Sequence, residues 1–238
     1  MSLQSVKNDV LRVFSQNGKV GVIIIVLELV LVLCYNYVPI VNIAMNAMAS
    51  LKMKMSIIYS MISTGLFMGV VPWLVDIFQG HIRPALRVRT GIFMFLCYAF
   101  VGLQTDIFYG LQSAWFGDEG VLSVVEKMLI DQLIWTPLYM SHFNYWANFI
   151  YNTGVTLPKC STQIIKKYFQ HDWLVGLIGG YIIWVPSCCV IYAMEPALQL
   201  IMMNLVGVLF VVVMATITRA NGLEESRTFE SMDQFELP

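Results

Sequence analysis

Six apolar runs punctuate the chain, at about positions 20–44, 55–79, 88–115, 121–150, 173–194 and 197–218. Each is long enough for the roughly 20 helical residues that cross about 30 Å of hydrocarbon. A segment in that environment must satisfy its backbone polar groups internally, which a helix does. The sequence therefore predicts an all-α, polytopic membrane helix bundle of about six apolar helices, with four spans as the lower bound if any run is re-entrant or lies flat. Composition agrees: 58% of residues are hydrophobic and 12% charged, with a mean hydropathy of +0.71, well outside the range of an ordinary water-soluble domain.

Basic residues give an independent count. Lys7, Arg12 and Lys19 precede the first run, Arg83, Arg87 and Arg89 follow the second, Lys159, Lys166 and Lys167 follow the fourth, and Arg219 and Arg227 lie beyond the last. Only Lys52, Lys54 and Lys127 fall among the other three connections, so eleven of fourteen lie on one side of a six-span chain. The positive-inside rule then puts both termini inside. Residues 1–19 read as an amphipathic leader lying at the interface, 20–219 as the transmembrane bundle, and 220–238 as an acidic, solvated tail holding Glu224, Glu225, Glu230, Asp233 and Glu236. Glu28 inside the first run, and the continuation past Pro39, oppose a cleaved signal peptide. A bacterial inner membrane and an organellar membrane, mitochondrial inner or peroxisomal, fit equally well.

Cys34, Cys97, Cys160, Cys188 and Cys189 are odd in number and lack metal-ligand spacing, and His81, His142 and His171 form no i, i+4 pair. We expect neither metal nor cofactor, no nucleic-acid partner and no enzymatic activity. An intramembrane enzyme acting on lipid would require Ser141, Cys188 or Cys189 as a water-accessible nucleophile. The expected partners are membrane lipid and small solutes or ions, with a homo-oligomer open.

Chemistry concentrates in the third and fourth runs. Asp106 lies eleven residues before Gly117 and Asp131 eleven after Gly120, so a helical hairpin turning at 117–120 would set both acids at one depth. Ionisable groups there are expensive and mark a site or a pathway by default. Gln104, Asp106, Gln112, Asp131 and Gln132, joined by Asn204 from the last run, form the expected polar seam of a weakly selective channel. Two acids that close would share a proton near neutral pH. The competing reading is a non-conducting scaffold in which Lys127 pairs with Asp131 and Gln132 bonds Asp106 as inter-helix glue. Glu28 is expected to pair with Arg87 or Arg89, or to mark an inner mouth. Gly65 with Gly69, Gly176 with Gly180, and the stripe Gly102, Asp106, Gly110, Ala114 have the small-xxx-small spacing of tightly packed membrane helices. Pro137 frees the carbonyl of Leu133 and should bend the fourth helix.

Residues 83–146 resemble the Mpv-seventeen and 22-kilodalton peroxisomal membrane protein family. Gly102-Leu103-Gln104-Thr105-Asp106-Ile107-Phe108-Tyr109 with Trp115 is similar to that family's Gly-Pro-x-x-His-x-x-Tyr and following Trp. Lys127 to Gln132 with Pro137 is similar to its Lys-x-x-x-Asp-Gln-x-x-x-x-Pro. Arg89, or Arg87, matches the arginine ahead of the glycine, and Trp184 with Pro186 its late Trp-Pro element. Leu103 and Asp106 replace the family's Pro and His, and Cys189 and Tyr192 stand where its Gln and Asn-Phe are expected, which makes this a divergent member. The resemblance implies a mitochondrial inner or peroxisomal membrane and channel-like permeability to small solutes.

Overall fold

The computed structural model describes residues 3–156 and 162–213, with side chains from residue 18 onward. Seven helices and no strand occur among them. Helix α1 is Leu3–Tyr37, α2 is Pro39–Met55, and α3 spans Ile57–Phe78 with a π turn at Gly65–Val70. Helix α4 is Pro84–Phe116. Helix α5 comprises Gly120–Ile130, a π-helical segment Asp131–Met140, and Ser141–Asn152. Helix α6 spans Thr162–Tyr192 and α7 Pro196–Val213.

Five of these are long and apolar enough to cross a membrane: Gly18–Tyr37 within α1, then α3, α4, α6 and α7. The protein is an integral membrane helical bundle. Helix α5 has the length but carries Glu126, Lys127 and Asp131 in its first half and amides in its second, so its polar groups set it apart from the apolar five.

Two expected boundaries move. The leader is not set off from the first span, because one helix runs unbroken from Leu3 to Tyr37. Nothing between Lys19 and Val20 breaks it, and continuing the helix keeps every backbone group paired on entry into lipid. The first run does not continue through Pro39 either. Pro39 lacks the N–H that α1 would need and starts α2 as its first residue, after an extended Val38. The acidic tail 220–238 and the last residues of the bundle, 214–219, lie outside the described residues.

Helices α3 and α4 pack along their lengths, as α1 does along α6. The first contact is glycine-made. A Cβ on Gly69 would stand 2.6 Å from the Met94 carbonyl oxygen, one on Gly65 2.9 Å from the Phe95 ring, and one on Gly102 against the Ser60 carbonyl. Backbone thus meets backbone, supplying the dispersion contact that holds helices together where lipid removes the hydrophobic drive. The pair Gly176 and Gly180 behaves differently: a Cβ on Gly176 meets nothing within 4 Å, and one on Gly180 meets only Trp184, at 3.9 Å. They face open space, and Gly110 likewise meets nothing.

The main core joins Tyr109, Cys188, Ile191, Tyr192, Leu198 and Met202 across α4, α6 and α7, with Met45 and Ala49 of α2 laid over it. A second cluster, Val20, Ile24, Ile183 and Val206, ties α1 to α6 and α7 toward the other end. Many large apolar side chains stay exposed, among them Val22, Leu33, Ile40, Val88 and Leu138, as expected of a surface whose solvent is hydrocarbon.

Candidate functional site

The proline of α5 shapes the site. Pro137 lies within the π segment Asp131–Met140, so the helix widens there as well as losing a hydrogen bond. Wide turns of this kind cluster at functional positions. The backbone of α5 approaches α4 chiefly at its two ends. Between them Phe108 stacks on Trp135 at 4.5 Å between centroids, and Gln104 donates to the Tyr139 hydroxyl.

The six expected seam residues do not form one seam. Asp106 is ion-paired with Lys52 of α2 at 2.7 Å. Asp131 is buried on the opposite side, accepting from the Tyr192 hydroxyl at 2.6 Å, from Thr136 at 3.1 Å and from the Cys188 thiol at 3.6 Å. The two acids are therefore partnered separately and share no proton. Lys127 does not reach Asp131 but donates to Asp118 at 2.6 Å, and Gln112 caps the Lys127 carbonyl at 2.9 Å. Gln132 donates to the Cys188 sulfur at 3.3 Å, not to Asp106, and its own carbonyl accepts from Tyr181 at 2.5 Å. Asn204 bonds Ser63 on α3 at 3.3 Å. Equal sequence distance from the turn does not decide which neighbour each acid faces: Asp106 meets α2 and Asp131 meets α6.

Glu28 pairs with neither Arg87 nor Arg89. It is wholly buried, and the polar side chain facing its carboxyl is Ser187 of α6. The family-motif residues have structural placements: Gly102 in the α3–α4 contact, Tyr109 edge-on to Tyr192 at 5.3 Å, Arg89 beside Gly154, Pro186 within α6, and Trp115 exposed.

The feature that does gather polar groups is a cleft of about 390 Å³ between α5 and α6. One wall is a row of every fourth residue on α5: Gln132, Thr136, Met140, Asn144, Asn148 and Asn152. In an α-helix a four-residue step overshoots one turn by about 40°, which would carry such a row around the helix. In a π segment of about 4.4 residues per turn the same step falls about 30° short. The two drifts oppose each other across Met140, so the whole row stays over one cleft. The other wall is Gly176 and Gly180 with Trp173 and Trp184.

Exposure grades along the row, from Gln132 at 3% to exposed Asn148 and Asn152. The cleft thus opens toward the end bearing Arg83 and Arg89. Asn152 also lines a second cavity of about 490 Å³ there, with Asp76, His81 and Arg83. At the inner end, Gln132 and Thr136 back directly onto Asp131. The mouth is held by aromatic packing: His142 stacks on Trp173 at 5.6 Å between centroids and bonds the Tyr168 hydroxyl. Trp173 donates to Ser141 at 2.8 Å. Asp172, the acid lining the cleft, is occupied by Tyr145 at 3.1 Å, His171 at 2.9 Å and Lys167 at 3.5 Å.

Asn144, Asn148 and Asn152 are thus functional candidates that lie outside the expected seam. The signal was present as the +4 spacing of polar residues, but it becomes a single face only once the π segment is known. No group of three potential metal ligands occurs among the described residues.

The Asp131 cluster gives a first expected result. Tyr192→Phe removes a 2.6 Å hydrogen bond to Asp131 while keeping the ring against Tyr109, and should lower stability by about 1 kcal/mol. Thermal unfolding in detergent measures it; an unchanged midpoint would mean that Tyr192 does not anchor Asp131.

No protein-family model, no curated protein and no solved structure matches this chain.

Proposed function

We propose that this membrane protein carries small solutes across the bilayer, and that the route is the α5–α6 cleft rather than a seam between α4 and α5. One observation carries the reading: a row from Gln132 to Asn152, polar except at Met140, lines a cleft that opens at one end of the bundle and ends inside it at Gln132 and Thr136, against Asp131. Amides at that depth are tolerated only where they meet protein or water, because lipid offers them no hydrogen bonds. A water-filled half-channel satisfies that requirement. The Asp131–Tyr192 hydrogen bond, at 2.6 Å, closes its inner end, so passage requires that bond to open. The ordered Arg89, Gly102, Tyr109, Trp115, Asp131-Gln132 and Pro137 support counting the chain as a divergent member of the Mpv-seventeen group, whose channel-like permeability is of this kind.

A scaffold role is the second reading, favoured by the paired charges Lys52–Asp106 and Lys127–Asp118. Those pairs stabilise the bundle and leave the cleft unexplained.

Gly180→Cys tests the route, since a side chain there projects into the cleft with Trp184 as its only close neighbour. In vesicles holding a neutral, a cationic and an anionic tracer, the variant should release at least one tracer above the protein-free rate. An anionic methanethiosulfonate should then block that release in the variant and not in the parent chain. Release of none of the three from folded protein removes the proposal in favour of the scaffold.

A further inference from the structure

We infer that the cleft selects neutral polyhydroxylated solutes, small sugar alcohols or sugars, over ions. This rests on the reading of the cleft as a solute route. The lining supplies hydrogen bonding without net charge. Gln132, Thr136, Asn144 and Asn148 are neutral, and the acid among the lining residues, Asp172, is neutralised by Lys167 and His171. A cation would find no unpaired acid to replace its hydration among the described lining residues, and an anion no unpaired base.

Two lining side chains hold unused acceptors. The side-chain oxygens of Gln132 and Asn144 are buried and have no hydrogen-bond partner. Leaving such groups unpaired is unfavourable, and a donor brought by a ligand relieves it. The Gln132 amide nitrogen is on the Cys188 sulfur at 3.3 Å, and the Asn148 amide donates to the main-chain carbonyl of Asn144 at 2.8 Å, so neither satisfies those side-chain oxygens. The cleft therefore favours a molecule with several hydroxyl donors at successive positions, which is what a chain of C–OH groups offers along a row of amides.

The opposite wall matches the remaining surface of such a molecule. Gly176 and Gly180 leave a floor with no side chain on it, and Trp173 and Trp184 flank that floor. Indole faces carry the negative side of a quadrupole and accept the weakly positive C–H edges of a polyol. Amide row on one side, open floor and indoles on the other: each face of the cleft fits one face of the same solute class.

The test is release of radiolabelled sorbitol, tetraethylammonium and chloride from vesicles containing the full chain. Two variants accompany it, Asn144→Ala/Asn148→Ala, which removes the two central amides of the row, and Gly176→Leu, which fills the floor where a Cβ meets nothing within 4 Å. Sorbitol release should exceed that of both ions, fall about tenfold in Asn144→Ala/Asn148→Ala, the loss expected from one or two missing hydrogen bonds, and fall at least as far in Gly176→Leu by occlusion, while gel filtration shows folded protein. If one variant fails to fold, the other decides. Release of either ion without sorbitol overturns the polyol assignment and leaves the permeation reading standing. Sorbitol release that persists in both variants moves the route away from the cleft and overturns both. Release of nothing above empty vesicles also removes both.

Discussion

Gly69→Leu is expected to prevent the bundle from forming, with folded protein lost from detergent extracts and a destabilisation of about 3 kcal/mol or more. The reason is that even the first atom of the new side chain has nowhere to go. A Cβ at position 69 would lie 2.6 Å from the carbonyl oxygen of Met94 and 2.9 Å from its carbon. Both are backbone atoms of α4, so the helices must part instead of a rotamer moving. Parting them sacrifices the contact along both helices, including that at Gly102. Gly110→Leu is the control. A Cβ there meets nothing within 4 Å, and the change should stay within about 0.5 kcal/mol, as surface substitutions do. Comparable yields and unfolding midpoints for the two variants would show that the α3–α4 contact is not the frame of the bundle.

Asp118→Asn should destabilise by about 3 kcal/mol, and Lys127→Met by clearly less, although the two residues form one ion pair. Lys127 is 1% exposed while Asp118 is 37% exposed. Removing the acid strands an ammonium whose other side-chain partner is Ser113 at 3.4 Å. Removing the lysine takes away the buried charge and leaves an acid that water reaches. The partial exposure of Asp118 keeps the cost at the lower end for a broken buried pair.

The same pair sets a pH dependence. Burial raises the Asp118 carboxyl somewhat, but the hydrogen bonds from Lys127 and Ser113 and the Lys127 charge outweigh it and hold the group below the ordinary aspartate range. A depressed acid contributes stability above its unfolded value, near 4, and loses it as pH falls through the lower folded value. Acid unfolding of the parent should therefore include a component that Asp118→Asn lacks. Parallel stability curves for the two below pH ~4 would show that Lys127 holds no charge against this acid.

Much of the architecture was legible without coordinates. Runs of apolar residues specify membrane helices through the cost of unpaired backbone in hydrocarbon. Pro39 sits inside the first apolar run, yet its missing N–H and fixed backbone end α1 at Tyr37, two residues earlier, and begin α2. The glycines of α3 announced close packing correctly, whereas Gly176 and Gly180, with the same spacing, line a cleft. Spacing states that a helix can be approached closely. Which neighbour approaches depends on the other helices.

The site shows the same division. Lys127, Asp131 and Gln132 were recognised as the chemically dense part of the chain, and the structure keeps them important, but their partners came from elsewhere: Asp118 for Lys127, Tyr192 and Cys188 for Asp131, Lys52 for Asp106. These partners lie from 9 to 61 positions away in sequence. What the sequence determined by itself is the inventory and its environment: helices in a membrane, a few polar groups that must be paired there, and a proline positioned to disturb one helix. Only the tertiary structure decided the azimuth of each group. The π segment around Pro137 changes the number of residues per turn, and that aligns Gln132 with Asn152 over a single cleft.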